Sequence, residues 1–194
     1  MKTKQILSLA AVVLLAGCAK EAAPPAAPAA QAPPPARPPA QYLADPVVGV
    51  ADPDALFHSK DPKLDRNMQT TYHIMKELLE CNQWADAGNW LTDKYIQHNP
   101  MAKSGLQGVI DFFVNVRKVQ PVSPCPDKLQ KTKVVAVLAN GDYVTTAIVR
   151  SYPLPGGQPG ETYTTTWFDM WRFVDGKADE HWDPATLPAA PAAK

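Results

Sequence analysis

The sequence predicts one α+β domain, helical in its first half and built of antiparallel strands in its second, set between proline-rich ends. Three observations predict it. Apolar residues recur at three- and four-residue steps between Asp61 and Val116. From Lys131 onward, β-branched runs alternate with tight-turn pairs. Alanine and proline dominate residues 19–46 and 184–194, a composition that cannot pack a core and favours extended backbone.

Asp61 is placed to cap a first helix, with Pro62 at the first helical position. Leu64, Met68, Tyr72, Met75 and Leu79 then form one apolar stripe. A short second helix is expected around Trp84 to Leu91. Ser104-Gly105 leads into a third, where Leu106, Ile110, Phe113 and Val116 share a face. After Pro121 the pattern changes. Lys131 to Leu138 reads as a strand, Asn140-Gly141 as a hairpin turn, and Tyr143 to Tyr152 as the returning strand. Pro153 to Gly160 is a Gly/Pro loop. Thr162 to Val174 forms a long third strand, and Asp175-Gly176 turns the chain into Lys177 to Asp183. Helices followed by an antiparallel meander imply helices covering one face of a sheet.

At the other end, Lys2 and Lys4 precede an apolar run from Ile6 to Ala16. At about 1.5 Å per residue this run is too short for a hydrocarbon core of about 30 Å, and suits a signal-peptide core. It closes on Leu15-Ala16-Gly17-Cys18, which resembles the lipobox of bacterial lipoproteins. The resemblance implies a signal peptide over 1–17, Cys18 as the acylated (palmitate-type) first residue, and a periplasmic domain anchored to the cell envelope. Ala19 in place of aspartate favours the outer membrane. The chain then divides into a tether over 18–51, a domain over 52–183 and a tail over 184–194. Lys+Arg and Asp+Glu both number 19, and no basic block stands out, so nucleic-acid binding has no electrostatic footprint. With Cys18 lipidated, Cys81 and Cys125 remain as an even pair, which an oxidising compartment favours as a disulfide; spacing alone leaves free thiols open.

Strand parity selects the candidate chemistry. Thr165, Trp167, Asp169, Trp171 and Phe173 share one face of the third strand, and Asp179, His181 and Asp183 one face of the last. A lone carboxylate among aromatics is costly to bury when ionised, and is a candidate general base. Pairing across Asp175-Gly176 would bring Asp169 towards His181. Simpler roles stand beside these: Asp169 as a hydrogen-bond acceptor, His181 as a core histidine, His98 as a turn residue, Asp183 as a strand-end cap, Arg172 on the opposite face. His98, His181 and a carboxylate match no recognised metal-ligand spacing, so no metal is expected.

Tyr95-Ile96-Gln97-His98-Asn99-Pro100, with Gly105 and Phe112-Phe113, resembles the middle of SnoaL-like proteins of the nuclear transport factor 2 superfamily. Phe168-Asp169-Met170-Trp171-Arg172-Phe173-Val174-Asp175-Gly176-Lys177, followed by Glu180-His181-Trp182-Asp183, resembles their last two strands. The resemblance implies a cone: a strongly curved antiparallel sheet against three N-terminal helices, with a pocket at the wide end. Trp167, Trp171 and Tyr95 would line it. It also implies polyketide cyclase-like chemistry, an aldol condensation or isomerisation without metal or cofactor. Asp169 or Asp183 would be the base, and His181 or His98 would orient or donate. Many such domains only bind ligands or proteins, so three readings stand: a module binding a small apolar or carbonyl-bearing ligand, a cofactor-free enzyme, and a dimerising interaction protein. The membrane is expected as a partner through the lipid anchor alone.

Overall fold

A computed structural model of the chain describes residues 45–188, so the expected signal peptide, Cys18 and most of the expected tether lie outside it. Helix α1 (Pro62–His73) starts where its capping residue predicts: the Asp61 carboxylate accepts hydrogen bonds from the backbone N–H groups of Lys63 and Leu64. Its axis continues through wider π-type turns over Ile74–Glu80, which still bury Ile74, Met75 and Leu78. A 3₁₀ segment (Trp84–Asn89) leads into strand β1 (Leu91–Gln97). Helix α2 (Leu106–Asp111) follows, continued by π-type turns over Phe112–Val116. Strands β2 (Val134–Asn140), β3 (Tyr143–Pro153), β4 (Thr162–Val174) and β5 (Lys177–Trp182) complete the chain.

The five strands form one curved sheet in the order β1-β5-β4-β3-β2, packed against the helices. Along β3 and β4 the register is unbroken from Tyr143 opposite Arg172 to Pro153 opposite Thr162. The inner face buries Val144, Ile148, Trp171 and Phe173 against Met75, Leu78, Trp84 and Val109 of the helical layer. Leu138 and Phe168 stand on the outer face, 69% and 53% exposed.

One strand departs from the expected antiparallel meander. Leu91, expected to end the second helix, instead opens β1, and β1 pairs with β5 in parallel. The register shifts between Leu91 and Ile96. That irregularity removes the period-2 alternation by which a half-buried strand is recognised.

Cys81 and Cys125 are joined by a disulfide, with Cα atoms 5.6 Å apart. It ties the end of the first helical rod to the loop ahead of β2. Beside it, the Glu80 carboxylate accepts hydrogen bonds from the backbone N–H groups of Gln130, Lys131 and Thr132. The stretch 45–51, placed in the tether by composition, lies against the sheet. Val47 N–H donates to Thr164 Oγ1, and Val50 N–H to the Val134 carbonyl, both at 2.8 Å. Gly49 permits this approach, because a Cβ there would sit 2.9 Å from Lys133 Cβ.

Candidate functional site

A cavity of about 560 Å³ opens between the inner face of the sheet and the helical layer. Trp84 and Phe113, stacked with ring centroids 3.7 Å apart, belong to its helical side; Tyr95, Trp167 and Trp171 belong to its sheet side. Asp169, His181 and Asp183 lie together in this lining, to which Gln97, Asn99, Arg117 and Arg150 add further polar groups.

Strand parity puts Trp167, Asp169 and Trp171 there, all on the inner face of β4. His181 reaches them from β5, where it lies opposite Trp171. Asp169 and His181 are only 6% and 7% exposed, and His181 Nε2 lies 3.3 Å from Asp169 Oδ1. Trp167 Nε1–H donates to the same oxygen at 3.2 Å. Asp183 continues the inner face beyond β5; Asn99 Nδ2 donates to its Oδ2, and the Ala185 N–H to its Oδ1.

The tautomer of His181 follows from its neighbours. Gln97 Oε1 accepts the backbone N–H of Asn99 at 3.0 Å, which identifies that atom as the amide oxygen. The same oxygen lies 2.8 Å from His181 Nδ1, so Nδ1 carries a proton and donates it. Nε2 is therefore the atom turned towards Asp169. Two acceptors cannot bond each other, so the contact between Nε2 and Oδ1 requires a proton between them.

Tyr95 Oη accepts from Trp171 Nε1–H at 3.2 Å, leaving its own proton free to donate. Burial pushes its phenol well above the ordinary tyrosine range; the Trp171 hydrogen bond works the other way, and the charges of Asp169 and Asp183 add to the rise. Tyr95 is thus held as a neutral donor. Trp84 Nε1 is buried with no hydrogen-bond partner among the described residues.

Two sequence expectations need correction. His98 does not join Asp169 and His181: its backbone N–H donates to the His181 carbonyl, while its ring points outward, 44% exposed. There it stacks on Trp182 with centroids 5.0 Å apart and meets Glu180 Oε1 at 2.8 Å. The alternation that turns Gln97 inward turns its neighbour outward. Asp179 does not share a face with His181 either. A β-bulge lies where Arg172 pairs with Glu180 but Phe173 with Ala178, leaving Asp179 as the extra residue. Asp179 and Glu180 both reach Arg172 on the outer face. Glu180 is held below the usual carboxylate range by hydrogen bonds from His98 and Arg172. For Asp179, burial works upward, but the Thr92 hydroxyl with Lys94 and Arg172 brings the carboxyl below its ordinary value.

The site also uses residues to which the sequence assigned no role. Gln97 and Asn99 stand inside the quoted Tyr95–Pro100 motif, but only the parallel pairing of Gln97 with His181 reveals what they hold.

No family model and no curated protein matches the chain. Among solved structures, a proposed polyketide cyclase from Acidithiobacillus ferrooxidans is 15% identical, with TM-score 0.45, covering 64% of this chain and 89% of that one. A proposed SnoaL-like polyketide cyclase from Jannaschia sp. CCS1 is 16% identical, with TM-score 0.45, over 66% and 91%. A nuclear transport factor 2-like protein of unknown function from Burkholderia pseudomallei is 17% identical, with TM-score 0.42, over 62% and 91%. At these identities and TM-scores the neighbours assign this chain no activity.

Proposed function

We propose that the domain binds a small, mostly apolar, carbonyl-bearing ligand in its cavity and is held at the cell envelope by a lipid on Cys18. The observation that carries the reading is one aromatic-walled chamber of mixed polarity in which Asp169, His181, Asp183 and Tyr95 converge. A volume of about 560 Å³ falls in the range of small-molecule sites. Aromatic walls would bury the body of the ligand, while the Tyr95 hydroxyl offers a donor to a carbonyl oxygen. Native mass spectrometry of the intact protein, followed by extraction and identification of a bound small molecule, tests this. A cavity that retains no small molecule and quenches no tryptophan fluorescence with any apolar carbonyl compound would sink it.

Acid–base turnover is the second reading, favoured by the fixed tautomer of His181. An Asp169 carboxylate could take a proton α to the carbonyl of the ligand, and Tyr95 or protonated His181 could return one to the developing oxyanion. No cofactor enters that scheme. A homodimer is compatible with either reading, and would cover the outer sheet face where Leu138 and Phe168 are exposed.

A further inference from the structure

We infer that Asp169, His181 and Asp183 form a binding site for one divalent transition-metal ion of the Zn²⁺ or Mn²⁺ class. One ligand atom from each lies within 4.8 Å of the other two. Zn²⁺ holds such atoms at about 2.0–2.2 Å in a tetrahedron, so two ligands of one ion stand about 3.4 Å apart. The Asp169–His181 contact at 3.3 Å already has that spacing, and Asp183 reaches it by a side-chain movement of up to about 1.4 Å.

Several independent features point the same way. His181 donates its Nδ1 proton to Gln97 Oε1, the outer-shell contact that orients a metal-binding histidine with Nε2 towards the ion. The atoms facing the centre of the cluster are thus two carboxylates and an imidazole nitrogen, with one proton held between Nε2 and Asp169 Oδ1. Asp169 is nine-tenths buried, and its Oδ2 takes no hydrogen bond from the described residues, although the side chain lines the cavity. Asp169 is ion-paired only to His181, and Asp183 to no lysine or arginine, among the described residues. A divalent cation would cancel both carboxylate charges and satisfy the open oxygen at once. Asn99 and the Ala185 N–H already orient Asp183. Oxygen and imidazole donors without a thiolate suit Zn²⁺ and Mn²⁺, since both remaining cysteines are bonded to each other elsewhere. Three protein ligands leave coordination positions open to the cavity, where a water or a ligand carbonyl could sit. The ion would take the position of the proton shared by His181 and Asp169, so ion and proton compete.

The test uses the full chain, stripped with EDTA, dialysed and titrated with ZnCl₂ by calorimetry. A parallel titration with CoCl₂ reads visible d–d absorption and the fluorescence of the tryptophans. The expected result is one Zn²⁺ per chain, a Co²⁺ spectrum of low coordination number, and quenching from Trp167 and Trp171 beside the ion. Asp183→Asn and His181→Gln should each weaken Zn²⁺ binding by about tenfold or more. Glu180→Gln, on the outer face, should leave it unchanged. Absence of saturable Zn²⁺ and Co²⁺ binding to the wild type overturns the inference, as does stoichiometric binding that survives both site variants. If those variants fail to fold, the wild-type Co²⁺ spectrum and quenching decide alone: ions bound without quenching lie elsewhere and overturn it. Ligand binding measured in EDTA is a separate readout, so failure of the pocket reading and failure of the metal site are distinguishable.

Discussion

Asp169 matters because its surroundings combine three things: burial, a histidine whose Nε2 is fixed towards it, and a cavity large enough for a ligand. Asp169→Asn keeps the volume and removes the negative charge. If the domain turns a substrate over, the rate should fall by about 10²–10⁴-fold, the usual contribution of a positioned base. If it only binds, ligand affinity by fluorescence titration should stay within about tenfold, a change worth about 1.4 kcal/mol. Gln97→Leu tests the same site from behind. It removes the acceptor that orders His181, and should weaken ligand binding or turnover while the disulfide and the β3–β4 register stay in place. On the outer face, Glu180 and Asp179 have carboxyl pKa values below their ordinary range. A group lowered in the folded state binds its proton more readily when unfolded. Its stabilisation is therefore full above the unfolded value near pH 4, and is lost as pH falls through the folded value. Urea midpoints measured downward from pH 6 should drop through this window, and Arg172→Met should flatten that drop. Equal acid limbs in the two proteins would contradict the assignment.

At the scale of elements, the loop between α2 and β2 is irregular and yet closely held. The Cys81–Cys125 bridge closes 44 positions, for which chain entropy gives about 4 kcal/mol of stabilisation. Cys81→Ser/Cys125→Ser should lower the unfolding free energy by that order, as read by urea denaturation. The Glu80 carboxylate adds three backbone hydrogen bonds beside the bridge. Glu80→Ala leaves three N–H groups without their acceptor and should cost about 3 kcal/mol in the same experiment. A loss below about 0.5 kcal/mol would mean water replaces the carboxylate freely. Of these elements, α1 and β4 were legible to the residue or nearly so. The Asp61 cap and Pro62 are local signals, and β4 is long enough for its alternation to stand out. Strand β1 was not legible, because its register breaks and its partner lies more than eighty residues away. The bulge at Asp179 was equally hidden. One extra residue in β5 reverses parity, and nothing in Lys177–Asp183 itself announces it.

For the whole molecule, the expected lipid anchor separates targeting from folding. Cys18→Ser should leave the precursor unacylated and the protein in the soluble fraction, as judged by radiolabelled palmitate and membrane fractionation. Acylation surviving in that variant would end the lipoprotein reading. Local order was enough to determine helix α1, strands β2 to β4, the tight turns, and the inward parity of Trp167, Asp169 and Trp171. These depend on neighbours within a few residues, which the chain displays directly. Tertiary structure alone decided which groups meet at the site. The parallel addition of β1 beside β5 delivers Gln97 and Asn99 to His181 and Asp183 and turns His98 away, and the bulge sends Asp179 to Arg172. Convergence of this kind depends on register between distant strands, and register is set by the packing of the whole sheet against its helices rather than by any one segment.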